Sequence, residues 1–116
     1  MDLCGIRRME TLVAEGRFLN RYFTPAERAY ILDKNQGAAQ SAAGIFAAKE
    51  AFLKAIGTGL GGASLTEIEV AHTPLGQPVL NLTGKALAAL GDGRAWVSIT
   101  HEGDMAAATV IIESQT

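Results

Sequence analysis

The sequence is short of most features that would assign it to a special class. Its 116 residues contain one cysteine, Cys4, so neither an internal disulfide nor a thiolate zinc site is available, and a reducing compartment is expected. No run of about 18 apolar residues reads as a membrane span, and the N-terminus lacks the charged, apolar and small-residue order of a signal peptide, so a cytoplasmic protein with no membrane partner is expected. Aromatic residues make up only 6% of the chain and there are three prolines. Charge is nearly balanced at a net of -2, and a protein without a global basic field is not expected to bind nucleic acid. Repeats, low-complexity runs and linkers are absent, so the chain reads as a single domain over 1–116.

What is present is unevenly placed. Six of the ten basic residues, Arg7, Arg8, Arg17, Arg21, Arg28 and Lys34, precede Gly37, whereas the second half is acidic. Apolar residues reach 48%, many of them alanine, and the smooth segments near the C-terminus exceed what one small core needs. Burial between subunits is the expected outlet.

The stretch GIFAAKEAFLKAIGTGLGG, from Gly44 to Gly62, organises the rest. Ile45, Ala48, Phe52, Ala55 and Ile56 recur at helical spacing and form an apolar stripe. Glu50 and Lys54 fall one turn apart on the other side. Gly57, Thr58 and Gly59 follow, where the main chain can approach a ligand closely. A carboxylate suited to a hard cation, an ammonium suited to an oxyanion and a loop with free amides together suggest a metal-bound phosphate ester. Taken alone, however, such a Glu-Lys pair is ordinary solvated helix and such a glycine an ordinary C-cap.

Helices are expected over Ile6 to Val13, closed by Gly16, and over Arg17 to Phe23. Thr24-Pro25-Ala26-Glu27 gives an N-cap, a first-position proline and a capping-box acid, opening a helix to about Lys34. A long helix then runs from about Ala38 through Ile56. Beyond it the period changes: a strand from Leu65 to about Thr73, a strand Pro78 to Leu82, a short helix capped by Thr83 and closed by Gly91, and a hairpin of Ala95 to Thr100 with Ala106 to Ile112. The fold class is α+β, helices packed on one side of an antiparallel sheet.

Three stretches together, FAAKEAFLKAIGTGLG, the GQP of Gly76 to Pro78, and SITHE from Ser98 followed by AAATVIIE, resemble the holo-acyl carrier protein synthases, small 4′-phosphopantetheinyl transferases. MDLCGIRRME and RFLNRYFTPAE are similar to that family's beginning, so the likeness covers nearly the whole chain. It implies Mg²⁺-dependent transfer of the phosphopantetheine arm of coenzyme A to a serine of apo-acyl carrier protein, with release of adenosine 3′,5′-bisphosphate. Asp2 and Glu50 would hold Mg²⁺, and Lys54 would pair with phosphate. Gly57, Thr58 and Gly59 would lie against the nucleotide. Gly76, Gln77 and Pro78 with Ser98, Thr100 and His101 would hold the adenosine end and 3′-phosphate. Arg8, Arg17, Phe18 and Arg21 would dock the carrier, and the assembly would be a homotrimer with its sites between subunits. The alternative is a non-catalytic module of the same fold that binds coenzyme A or the carrier.

Three positions depart from the family pattern. Asp2 directly follows Met1, where a frayed terminus is expected to hold a carboxylate poorly. Gly5 stands where an acid is common, and Ile45 where an arginine is common. Ile45 also fits the apolar stripe.

Overall fold

The computed structural model describes residues 1–57 and 63–114. In chain order these form β1 (Asp2–Gly5), α1 (Ile6–Glu15), α2 (Arg17–Tyr22), α3 (Pro25–Asp33), α4 (Ala38–Ile56), β2 (Ile68–His72), β3 (Pro78–Leu82), α5 (Gly84–Leu90), β4 (Arg94–Glu102) and β5 (Met105–Glu113). β5 lies between β1 and β4 in a three-stranded antiparallel sheet, and β2 pairs with β3 in a second, two-stranded one.

α4 is the central element, and its composition explains why. Alanines and one glycine along Ala42, Ala43, Gly44, Ala47, Ala48 and Ala51 are buried beside Ile45, Phe52 and Leu53. Small side chains let the helix come close to the sheet. At Gly44 an added Cβ would stand 2.8 Å from Ile99 Cγ2, so this approach to β4 requires a residue without one. The helix ends at Gly57, which takes φ +77° and donates its N–H to the carbonyls of Leu53 and Lys54. Ala55, assigned to the apolar stripe by its spacing, is exposed; the stripe shifts toward Ala51 and Leu53 because α4 is covered on more than one side.

The N-terminus is not frayed. Asp2, Leu3, Cys4 and Gly5 pair with Ala108, Ala107, Ala106 and Met105 of β5, so the sheet fixes the residues that open the chain. Gly5 hands over directly to α1, and the Ile6 N–H donates to the Asp104 carbonyl.

α3 begins with the full capping box: Glu27 N–H donates to Thr24 Oγ1 and Thr24 N–H to Glu27 Oε1. Two other boundaries differ from expectation. Leu65–Glu67 is a 3₁₀ turn, because Ser64 and Glu67 form a second capping box, and the strand begins only at Ile68. Thr83 precedes α5 in the N-cap position but its side chain makes no capping hydrogen bond.

On the sheet face away from α4, Trp96 and Ile111 stand opposite each other in register and are 54% and 59% exposed, with Leu3 at 61% on the same sheet. Among the described residues no helix is long and apolar enough to cross a membrane.

Candidate active site

Asp2 and Glu50 share a cleft of about 280 Å³. β5 anchors β1, which places Asp2 beside α4, and Glu50 lines the same space from α4; Cys4, Arg8, Phe18 and Phe46 are among the other residues that line it. Lys54 Nζ closes on Asp2 Oδ1 at 2.5 Å, with Asp2 17% and Lys54 61% exposed at the side chain. Burial pushes the Glu50 carboxyl above its ordinary range, the Asp2 carboxylate pushes it the same way, and Lys54 opposes them. Burial likewise raises the Cys4 thiol, so it stays protonated.

Two carboxylates facing each other across a partly dry cleft repel, and a cation between them relieves that repulsion. The donor set fits Mg²⁺, which takes one or two protein carboxylates and completes its octahedron with phosphate oxygens and water. Among the described residues no group of three or more His, Cys, Asp or Glu side chains gathers as a self-sufficient metal cage.

A second cleft, about 430 Å³, opens where α3, the start of α4, and the β2–β3 hairpin meet the end of β4. Gly76, Pro78 and His101 line it, and so do Tyr30, Lys34, Gln40 and His72. Gly76, at φ +88°, closes the turn through its N–H to the Thr73 carbonyl. His101 Nε2 lies 2.9 Å from the Gln40 side-chain amide, within hydrogen-bonding distance. Tyr30 and His72 stack at 4.1 Å and 6°. Burial, helped by Lys34, lowers the His72 pKa.

The remaining expected residues are distributed as follows. Gln77 is exposed in the hairpin turn. Ser98 and Thr100 alternate with Ile99 and His101 along β4 and so occupy the opposite, exposed face of the sheet, outside the 430 Å³ cleft of their own chain. Thr58 and Gly59 lie outside the described residues. Arg8, Arg17 and Arg21 are exposed, and Arg8 edges the carboxylate cleft. Phe18 is half-buried, its ring 5.1 Å from Tyr22, 5.8 Å from Phe23 and 5.4 Å from Phe46, so it is part of an aromatic cluster that supports this edge.

One buried pair escaped the sequence reading. Lys49, adjacent to Glu50, has no exposed surface; its ammonium meets Glu27 Oε1 at 2.6 Å and donates to the Leu65 and Ile68 carbonyls at 2.8 Å each. Glu27 Oε2 accepts from Val70 N–H at 2.7 Å. The signal was available, since Lys49 follows Ile45 by four residues and precedes Phe52 by three, on the apolar stripe itself. The pair ties α3 and β2 to the turn of α4 that presents Glu50.

The 4′-phosphopantetheinyl transferase superfamily model matches residues 2–110. The chain belongs to that superfamily. It is thus an enzyme of the phosphopantetheinyl transferase class, and the resemblance first carried by three short motifs extends along its length. Among curated relatives, it is 47% identical over 116 residues to the holo-acyl-carrier-protein synthase of Treponema denticola, covering 97% of this chain and 94% of that one. The corresponding synthase of Geotalea daltonii is 43% identical, with the same coverage of 97% and 94%. Among solved structures, the transferase fold is shared with the Helicobacter pylori synthase in complex with coenzyme A, at TM-score 0.81, 30% identity, and coverage of 97% and 96%. The Bacillus anthracis synthase in complex with CoA (3′,5′-ADP) aligns at TM-score 0.83 and 33% identity, covering 98% of this chain and 93% of that chain.

Proposed function

We propose that this transferase is a holo-acyl carrier protein synthase, moving 4′-phosphopantetheine from coenzyme A to a serine of an apo-acyl carrier protein and releasing adenosine 3′,5′-bisphosphate. The observation that carries this reading is the convergence of Asp2 and Glu50, separated by most of α1 through α4 in sequence, on one cleft edged by Arg8. Mg²⁺ held by Asp2 and Glu50 would supply charge neutralisation at the pyrophosphate. Lys54 adds a movable ammonium at the mouth of the cleft, able to leave Asp2 for a phosphate oxygen. The serine proton passes to a carboxylate or a water in the same cleft. Arg8, Arg17 and Arg21 offer guanidinium forks to the acidic helix of a carrier, with Phe18 in the aromatic cluster of the same edge.

The acid cleft and the His101 cleft are separate hollows on one chain. A homotrimer reconciles them, with the His101 cleft of one subunit completing the Asp2–Glu50 cleft of the next. The exposed apolar sheet face around Trp96 and Ile111 supports such an assembly. Mixing Asp2→Asn chains with His101→Ala chains tests it directly. Each variant alone is expected to transfer poorly, and subunit exchange is expected to restore activity, because some sites then combine an intact Asp2 with an intact His101. No recovery after proven exchange would contradict a shared site.

A further inference from the structure

α1 begins without a cap of its own. Gly5 at its N-cap has no side chain to offer, and the first turn carries Arg7 and Arg8 but no acid, so two cations lie at the positive end of the helix dipole. Asp104, 97 residues beyond Arg7, supplies what is missing. It follows Gly103 in the two-residue turn that joins β4 to β5, where Gly103 takes φ +57°. The β1–β5 ladder ends at Gly5 and Met105, and Asp104 carries it on into the helix: its carbonyl accepts from Ile6 N–H at 2.8 Å and its Oδ1 from Arg7 N–H at 2.8 Å. Among the described residues no ion pair involves Asp104, so its carboxylate serves the α1 backbone rather than an arginine side chain.

We propose that Asp104 is a positioning residue for the acyl carrier protein: by capping α1 it holds Arg8 at the edge of the Asp2–Glu50 cleft. The inference rests on the reading that a carrier docks along α1 and α2. Gly5 and Arg8 both line that cleft, so Asp104 clamps the junction where the strand bearing Asp2 becomes the helix bearing Arg8. Loosening this first turn frees Arg8, whereas Met9, the next residue, is buried and keeps the rest of the helix seated. Charge alone predicts the opposite sign. An acid beside a basic docking face repels an acidic carrier, so deleting it would strengthen docking if the acid did nothing else.

The test is steady-state transfer by the wild type, Asp104→Ala and Asp104→Asn, varying an apo-carrier at saturating coenzyme A and then coenzyme A at saturating carrier, with Mg²⁺ present and well below the Tm of each protein. Asp104 is exposed in a tight turn, where asparagine is equally at home, so both variants should fold. Asp104→Ala should raise KM for the carrier about three- to tenfold, with kcat and KM for coenzyme A close to wild type. Asp104→Asn keeps an acceptor oxygen and should restore most of that loss. In an Arg8→Ala background, Asp104→Ala should have little further effect, because the side chain it positions is gone. A carrier KM that falls or stays unchanged in Asp104→Ala, rises equally in both variants, rises together with KM for coenzyme A, or rises just as much without Arg8 overturns the role of Asp104 while leaving the transferase reading intact. Failure of the wild type to modify any carrier removes both.

Discussion

Lys54 stands one helical turn beyond Glu50, yet its ammonium closes on Asp2, 52 residues earlier, at 2.5 Å. The helix thus presents a carboxylate and a cation, and the first strand brings a second carboxylate to the same cleft. Hydrogen bonding to Asp2, and then its charge, raises the Lys54 pKa, so the cation is secure at neutral pH. Lys54→Met should lower kcat/KM for coenzyme A by about tenfold or more with little change in Tm, since an exposed pair adds little to folding. Lys54→Arg should retain more activity than Lys54→Met, as steady-state kinetics on the three proteins would show.

Glu50 makes the cleft slightly unfavourable without a cation. Its folded pKa lies above the ordinary 4.5, raised first by burial and then by Asp2. The folded state therefore binds more protons than the unfolded chain from that ordinary value up to the raised one, and stability falls as pH rises through the window. Glu50→Gln removes this loss. Its Tm should match the wild type at the acid end of the window and exceed it by about 2 °C near neutrality. Added Mg²⁺ should raise the wild-type Tm and leave that of Glu50→Gln nearly unmoved, by thermal melts across pH.

Lys49 and Glu27 answer to a different rule. Both are buried, and each also satisfies backbone groups of β2 or the turn before it. Burial outweighs Glu27 and lowers the Lys49 pKa, so the ammonium depends on its partners. Lys49→Met strands a buried carboxylate and should cost about 3–5 kcal/mol of stability. The double variant Lys49→Met/Glu27→Gln should lose less than the sum of the single losses. Urea unfolding of the four proteins measures this coupling.

Local signals made much of the fold legible. The capping box at Thr24 and Glu27, the alanine-rich run from Ala38 to Ile56 and the alternation around Val97 and Val110 all act over a few residues, and each produced the element expected. β1 was not legible, because four residues carry no period and its strand geometry is imposed by β5. Leu65 was misplaced because its apolar side chain fits a strand, while the Ser64–Glu67 box that bends the chain lies around it. Lys49 was passed over because lysine is read as solvated, although its spacing put it on the buried stripe. In the candidate site, spacing placed Glu50 and Lys54 together on one helix face but did not separate them from ordinary solvated helix. Asp2 came from family resemblance, since no local pattern says that residue 2 and residue 50 share a cleft.

The most direct measurement is the mass of an apo-acyl carrier protein after incubation with coenzyme A, Mg²⁺ and this protein, beside parallel reactions with Asp2→Asn and Glu50→Gln. A gain of one phosphopantetheine group with the wild type, and at least about a hundredfold slower gain with either variant, is the expected result. No gain across a panel of apo carriers at high enzyme, or equal rates for wild type and Asp2→Asn, would contradict it.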